Sequence, residues 1–194
     1  MHKRRAGCSE PTSPDQLLVI LDQLDIAHTT IKHPPMFTVA ESKKLRITPT
    51  RGSYTKNLFL RNKKGSMWLI TCSEDRRLDL PSLADRLQAG RLSFGSADRL
   101  MKYLGVTPGA VSPLALINDT VESVSFVIEE ELLGKPMIHL HPLINTQTTR
   151  IATRDLLRFA RYTGHPPLCL RLGTPADIPT TECCASRPLN VTKP

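Results

Sequence analysis

No apolar run in this chain approaches the length of a membrane-spanning helix. The longest, such as residues 111–117, are broken by a polar residue or proline and fall far short of the roughly 20 residues a span requires. No apolar stretch follows the basic start (Lys3, Arg4, Arg5), which argues against a secretory leader. The five cysteines, Cys8, Cys72, Cys169, Cys183 and Cys184, are odd in number and irregular in spacing, so neither a disulfide framework nor a zinc motif is indicated. A reducing cytoplasm fits this usage; Cys72 and Cys169, in apolar runs, read as small core residues. The six histidines form no HExxH pattern, and only His139 and His141 are close neighbours, leaving a two-ligand pair on one strand face open. GxSxG and P-loop motifs are missing, as is any evident Ser/His/Asp set or internal repeat. Neither a metal nor a cofactor is expected. Chemistry in such a chain would rest on water, a backbone oxyanion site and a positioned cation.

What the chain does have is a local excess of positive charge. Its net charge is +8, and residues 43–102 hold fourteen Lys or Arg against five Asp or Glu. Residues 1–42 sum to minus one, and residues 103–194 to zero. A concentrated surplus points to a polyanionic partner, although a solvated basic surface has the same composition.

With 194 residues and 40% hydrophobic content, one compact domain is expected, spanning 13–173 between disordered tails at 1–12 and 174–194. Ser13, Pro14 and Gln16 form a helix start with a capping box, and Leu17, Leu18, Leu21 and Leu24 follow at helical spacing. Ala27 to Ile31 reads as extended, and His33-Pro34-Pro35 cannot be helical. Thr38 and Glu41 predict a second capped helix over about 39–46. Residues 56–61 and 66–72 read as strands joined by a hairpin turn at 62–65, followed by helices over 81–87 and 96–104, the latter stopped by Gly105. Residues 114–117, 123–128, 137–140 and 168–172 are strand candidates, with a Glu-rich turn after the second and a helix over 153–162. The order lacks a regular βαβ rhythm, predicting an α/β fold with a single mixed sheet and surrounding helices.

Residues 106–113 (VTPGAVSP) form a proline-restricted loop in which Gly109 allows close backbone approach to a ligand. Such a loop can present N–H groups to an oxyanion or serve as a plain connection. Lys56 opens an apolar strand, where it either reaches a cleft or sits in solvent. His141, before Pro142, is either a pocket residue or a hydrogen-bonded structural histidine. Asn118-Asp119 has the composition of a turn.

Seven blocks, in order, carry a resemblance: His33-Pro-Pro-Met-Phe-Thr38, Lys56-Asn-Leu-Phe-Leu60, Arg91-Leu-Ser-Phe94, residues 104–113 (LGVTPGAVSP), Asn118-Asp119, His141-Pro-Leu143 with Asn145 and Thr148, and Asp155-Leu-Leu-Arg-Phe159. Together, over about residues 14–172, they resemble the YbaK/prolyl-tRNA-synthetase-associated domain family, and within it the freestanding deacylases of Ala-tRNA(Pro). The resemblance implies a YbaK-like fold and a metal-independent hydrolase that removes alanine from mischarged tRNA(Pro) in trans. It implies catalytic roles for Lys56, Gly109 and His141, with Lys56 anchoring the tRNA 3′ end. Ala110, Val111, Ser112 and Pro113 would form the oxyanion loop, with Asn118 beside the pocket. Lys43, Lys44, Arg61, Lys63, Lys64 and Arg91 would contact the tRNA(Pro) acceptor stem, and prolyl-tRNA synthetase is a candidate partner. Alternatives within the resemblance are another small amino acid (Ser, Cys, Thr or 2-aminobutyrate) or a tRNA-binding module without catalysis.

Overall fold

In the computed structural model, residues 10–36, 40, 41, 43 and 52–172 are described. Helix α1 (Pro14–Gln23) begins as its sequence predicts: Ser13 Oγ accepts the Gln16 N–H, and Gln16 Oε1 accepts the Ser13 N–H at 2.8 Å. Strands β1 (His28–Lys32), β2 (Ser53–Arg61) and β3 (Met67–Ser73) follow, the last two forming the expected hairpin. Next come α2 (Leu80–Arg86), the two-residue β4 (Ser93–Phe94) and α3 (Ala97–Leu104), which Gly105 ends in the left-handed region at φ 62°. A 3-10 helix (Pro113–Asn118) precedes β5 (Val124–Glu129), α4 (Glu130–Leu133), β6 (Met137–Leu140), β7 (Gln147–Ala152), α5 (Thr153–Tyr162) and β8 (Leu168–Leu170).

One expectation is corrected and one strand is added. Residues 114–117 are not a strand: Pro113 stands in the first turn of the 3-10 helix, and Ser112 Oγ accepts the Leu114 N–H at 3.3 Å. That cap starts a helical turn, and the apolar run fills the core as a plug. Strand β7, unforeseen, is a run of polar and β-branched residues whose Thr148 and Thr149 are buried. The second helix expected over about 39–46 lies largely outside the described residues, as do Lys44 and Cys183-Cys184.

The sheet runs β1-β7-β6-β2-β3-β5-β8, with β4 also on β2. Pairings β2·β6, β3·β5 and β5·β8 are parallel, while β1·β7, β6·β7, β2·β3 and β2·β4 are antiparallel, so the mixed sheet is as expected. Its larger core joins Phe59, Leu69, Phe126 and Ile128 to α1, α3, the 3-10 helix and α5. A smaller core unites Leu60, Ile70, Cys72 and Val127 with Leu83 and Ala84 of α2. Phe59 and Leu60 fall in different cores because successive strand residues face opposite sides. Phe159, fully buried at the centre of α5, is the kind of anchor whose truncation to alanine costs about 3–5 kcal/mol.

Pro11 and Thr12, assigned by sequence to the N-terminal tail, contact the domain. The Thr12 N–H donates to Asn118 Oδ1 at 2.9 Å, and a Cβ placed on Gly105 would lie 2.6 Å from Pro11 Cβ.

Candidate functional site

β2 has different neighbours at its two ends. Ser53 and Tyr54 pair with Ile138 and His139 of β6, whereas Leu60 and Arg61 pair with Phe94 and Ser93 of β4. Between them, residues 55–58 meet no described strand on that edge. A small pocket of about 40 Å³ opens at this fork, lined by Met36, Tyr54, Thr55, Asn57, His139, Leu140, His141 and Thr148. Thr55 Oγ1 donates to the His139 carbonyl at 3.0 Å, Asn57 Oδ1 accepts from Thr71 at 2.7 Å, and Tyr54 stacks on His139 with ring centroids 4.1 Å apart. These contacts fix the wall before any ligand arrives.

His141 follows β6 and precedes Pro142, which has no N–H to continue a ladder. Two residues on, Leu143 has φ +66°, a conformation that costs an L-residue about 1–2 kcal/mol and is held here by burial of its side chain in the larger core. The turn brings Gln147 back to His141, whose Nδ1 lies 2.8 Å from the Gln147 carbonyl. A carbonyl only accepts, so Nδ1 carries the proton. Burial lowers the His141 pKa, aided by the charge of His33, against an opposing contribution from the Gln147 bond. The ring is therefore neutral at pH 7, and Nε2 has a lone pair to offer.

His33 stands beside it, with ring centroids 6.0 Å apart. Its Nε2 is 2.9 Å from Thr148 Oγ1 and its Nδ1 is 2.8 Å from the Pro34 carbonyl. Its own N–H donates to the Thr146 carbonyl at 2.9 Å, and the Met36 N–H donates to Asn145 at 3.3 Å. The His33 and Asn145/Thr148 blocks, far apart in sequence, thus form one wall.

Gly109 adopts φ +91°, in the region that favours glycine. The Ala110 N–H is taken by the Thr107 carbonyl at 3.1 Å, whereas those of Gly109, Val111 and Ser112 meet no acceptor among the described residues. Ala110, Ser112 and Pro113 are buried, with Val111 half-buried. Gly109, like Val111, is half-buried, and of the three residues only Ser112 is buried; a ligand oxygen can accept from N–H groups of this kind. Ala110 shares the larger core with Leu140 and Leu143, which flank His141.

Lys56 has a different setting from its neighbours on β2. By register it stands beside Cys72, which stands beside Glu129 of β5, a row across three strands on the smaller-core side. Lys56 Nζ donates to the Arg76 carbonyl, while the Arg76 guanidinium bridges Glu129 and Glu131. Burial pushes the Cys72 thiol up to about 12, so it is no thiolate nucleophile at neutral pH.

The remaining predicted residues are dispersed. Lys63 and Lys64 are exposed on the β2–β3 hairpin, Arg61 precedes them, and Arg91 is exposed just before β4. Lys43 pairs with Asp75, which follows β3 near the opposite end of the sheet strands. Asn118 is not at the pocket: its Nδ2 donates to the Leu104 carbonyl at 2.9 Å and its Oδ1 accepts from Thr12. It lines a larger groove of about 690 Å³ between α1 and α3, away from His141. Tyr54, Thr55, Asn57, His33 and Thr148 were not predicted as site residues. The His33 and Thr148 blocks carried a signal; the β2 positions became visible only through the fork.

The sheet thus forks over a histidine-lined pocket, with a glycine loop on the same core and exposed cations at the far end of β2. Residues 33–159 match the family described as the aminoacyl-tRNA editing domain, and the chain belongs to that family. It is similar to the prolyl-tRNA editing protein ProX of Acetoanaerobium sticklandii, 38% identical over 146 residues that cover 75% of this chain and 88% of that one. It is also similar to prolyl-tRNA synthetase associated domain-containing protein 1 of Danio rerio, 41% identical over 157 residues that cover 80% and 85% of the two chains. A crystal structure whose description ties it to trans-editing for prolyl tRNA synthetase aligns with a TM-score of 0.62 at 21% identity, covering 86% of this chain and 100% of that one, and shares the fold. No helix among the described residues is long and apolar enough to cross a membrane.

Proposed function

We propose that this protein is a trans-acting deacylase that hydrolyses the ester of alanine mischarged onto tRNA(Pro), without a metal, in the cytoplasm. What supports this reading is a neutral His141 in a pocket of about 40 Å³, together with a glycine loop on the same core in which the Gly109, Val111 and Ser112 N–H groups meet no acceptor among the described residues. A proline site cannot exclude smaller alanine by binding alone, because a missing methylene is worth only about 1–3 kcal/mol. A second site that admits alanine and turns away proline's ring would supply the discrimination.

Water attacks the ester carbonyl carbon, and the resulting oxyanion accepts hydrogen bonds from the N–H groups of Gly109, Val111 and Ser112. Collapse breaks the bond to the terminal ribose oxygen, which leaves with one proton of the water, and alanine departs as its carboxylate, the water's other proton passing to solvent. His141 Nε2 accepts a hydrogen bond from the substrate's amino end or sugar, positioning the ester. Lys56 holds the RNA's terminal phosphate, and the cations of the β2–β3 hairpin reach the acceptor stem. The Cys72 thiol has no part, being protonated and buried. Prolyl-tRNA synthetase, the source of the mischarged product, is the partner this role suggests.

The test is deacylation of labelled Ala-, Ser-, Cys- and Pro-tRNA(Pro). Alanine should be released fastest and proline spared. Retention of every ester would sink the enzyme reading, and faster loss of serine or cysteine would reassign the substrate.

A further inference from the structure

Among the described phenylalanines, Phe59, Phe126 and Phe159 are 3%, 2% and 0% exposed, whereas Phe94 is 61% exposed. It is not on a loose loop. Phe94 pairs with Leu60 of β2, the next N–H, of Gly95, donates to the Phe59 carbonyl at 2.9 Å, and Ser96 caps α3. Gly95 is required for this strap to lie so close, since a Cβ there would meet the Phe59 ring at 2.3 Å. The fold thus fixes the backbone that presents an aromatic ring to solvent.

Its surroundings are cationic. Arg61 pairs with Ser93 next to it, Lys63 and Lys64 are exposed on the adjoining hairpin, and Arg91 is exposed three residues before it. As cross-strand partners Phe94 and Leu60 share a face of β2, and Lys56 is on that face four residues earlier, about 13 Å away along the strand. An exposed ring on a held strand among cations is what a single-stranded nucleic acid meets on stacking surfaces, with phosphates on the charges and a base on the ring.

We propose that Phe94 is a stacking platform for one unpaired base near the 3′ end of the RNA, on the path between the Lys56 phosphate contact and the acceptor stem. This rests on the RNA-substrate reading above and adds a contact that tolerates any base, since every base has a π-face.

The experiment measures binding of an uncharged acceptor-stem hairpin carrying its unpaired 3′ nucleotides, by fluorescence anisotropy. Phe94→Ala should weaken binding about 5- to 150-fold, the range found for losing one base–aromatic stack. Phe94→Trp should bind close to wild type, and Phe94→Leu should be as weak as the alanine variant. Replacing the unpaired nucleotides one at a time by abasic residues should identify one position that weakens wild-type binding and leaves the alanine variant indifferent. The ring is exposed, so these variants should melt as wild type does, and Val121→Ala, at another exposed apolar residue, should leave affinity unchanged. Equal binding by Phe94→Ala and wild type would overturn the proposal, as would full binding by Phe94→Leu. A change in the protein's own sedimentation mass with unaltered RNA affinity would give this face to a second copy instead. Because the RNA is uncharged, intact binding by an enzyme that hydrolyses no ester would refute the deacylase while leaving the platform standing; absence of any RNA binding would refute both.

Discussion

The two ends of β2 are built on opposite terms. At the Tyr54–Asn57 end side chains are engaged with the protein: Thr55 on the His139 carbonyl, Asn57 on Thr71, Tyr54 stacked on His139. At the other end Lys63 and Lys64 stand in solvent. From Lys56 to Arg61 is about 17 Å along the strand. The lesson is a division along one strand: an end whose side chains bond within the protein, and an end whose cations face solvent.

Gly109→Ala should separate the ends most sharply. It forces a side chain into φ +91° and disturbs the donor loop, so deacylation should drop about 100- to 1,000-fold, as on loss of an oxyanion donor, with RNA affinity retained. Gly65→Ala, at the same φ but in open space, serves as the stability-matched control in thermal melts.

His141→Asn should slow turnover about 10- to 150-fold, corresponding to loss of one hydrogen bond to a charged group. The pH profile checks its cause. With its pKa lowered from 6.5, wild-type kcat/KM should be flat above neutrality and fall as acid protonates the ring through that lowered value, a limb the asparagine variant lacks. By linkage, the stability contributed by this neutral ring is present in full above about pH 6.5 and is lost as pH falls through the lowered value. A wild-type profile with no acid limb would break the assignment.

Lys56→Ala should weaken RNA binding and rate together, by about tenfold, less than an unengaged charge would because its ammonium already serves the Arg76 carbonyl. Unchanged kinetics would place this lysine with the structural row of Cys72 and Glu129. The smallest effects belong to the hairpin: Lys63→Ala and Lys64→Ala should each flatten the salt dependence of binding by about 0.7–0.9 in log–log slope per phosphate contact and leave kcat alone. A large kcat loss there would erase the contrast between the two ends.

Legibility in the sequence followed the range of the forces involved. Helices α1 and α3 were readable because Ser13, Gln16, Ser96 and Gly105 act within a turn of themselves. Residues 114–117 misled because a short apolar run fits a strand as well as a buried turn, and the Ser112–Pro113 cap decides between them. β7 escaped because its Thr148 and Thr149 are polar in composition yet buried between β1 and β6. Of the candidate site, His141, Lys56 and the glycine loop were named through the family resemblance. Thr55 and Asn57 were not, since a wall residue at a fork is defined by strands far off in the sequence, as Ile138 of β6 is from its partner Ser53 of β2.

The Asn118 amide carries a practical consequence for shortening the chain. The capping signal at Ser13 invites a cut just before α1, yet the Thr12 N–H is bonded to Asn118 and Pro11 covers Gly105. A chain trimmed to Ser13 loses a clasp that fastens its first residues to the end of α3. The economical boundary for engineering therefore lies before Glu10, several residues upstream of the first helix.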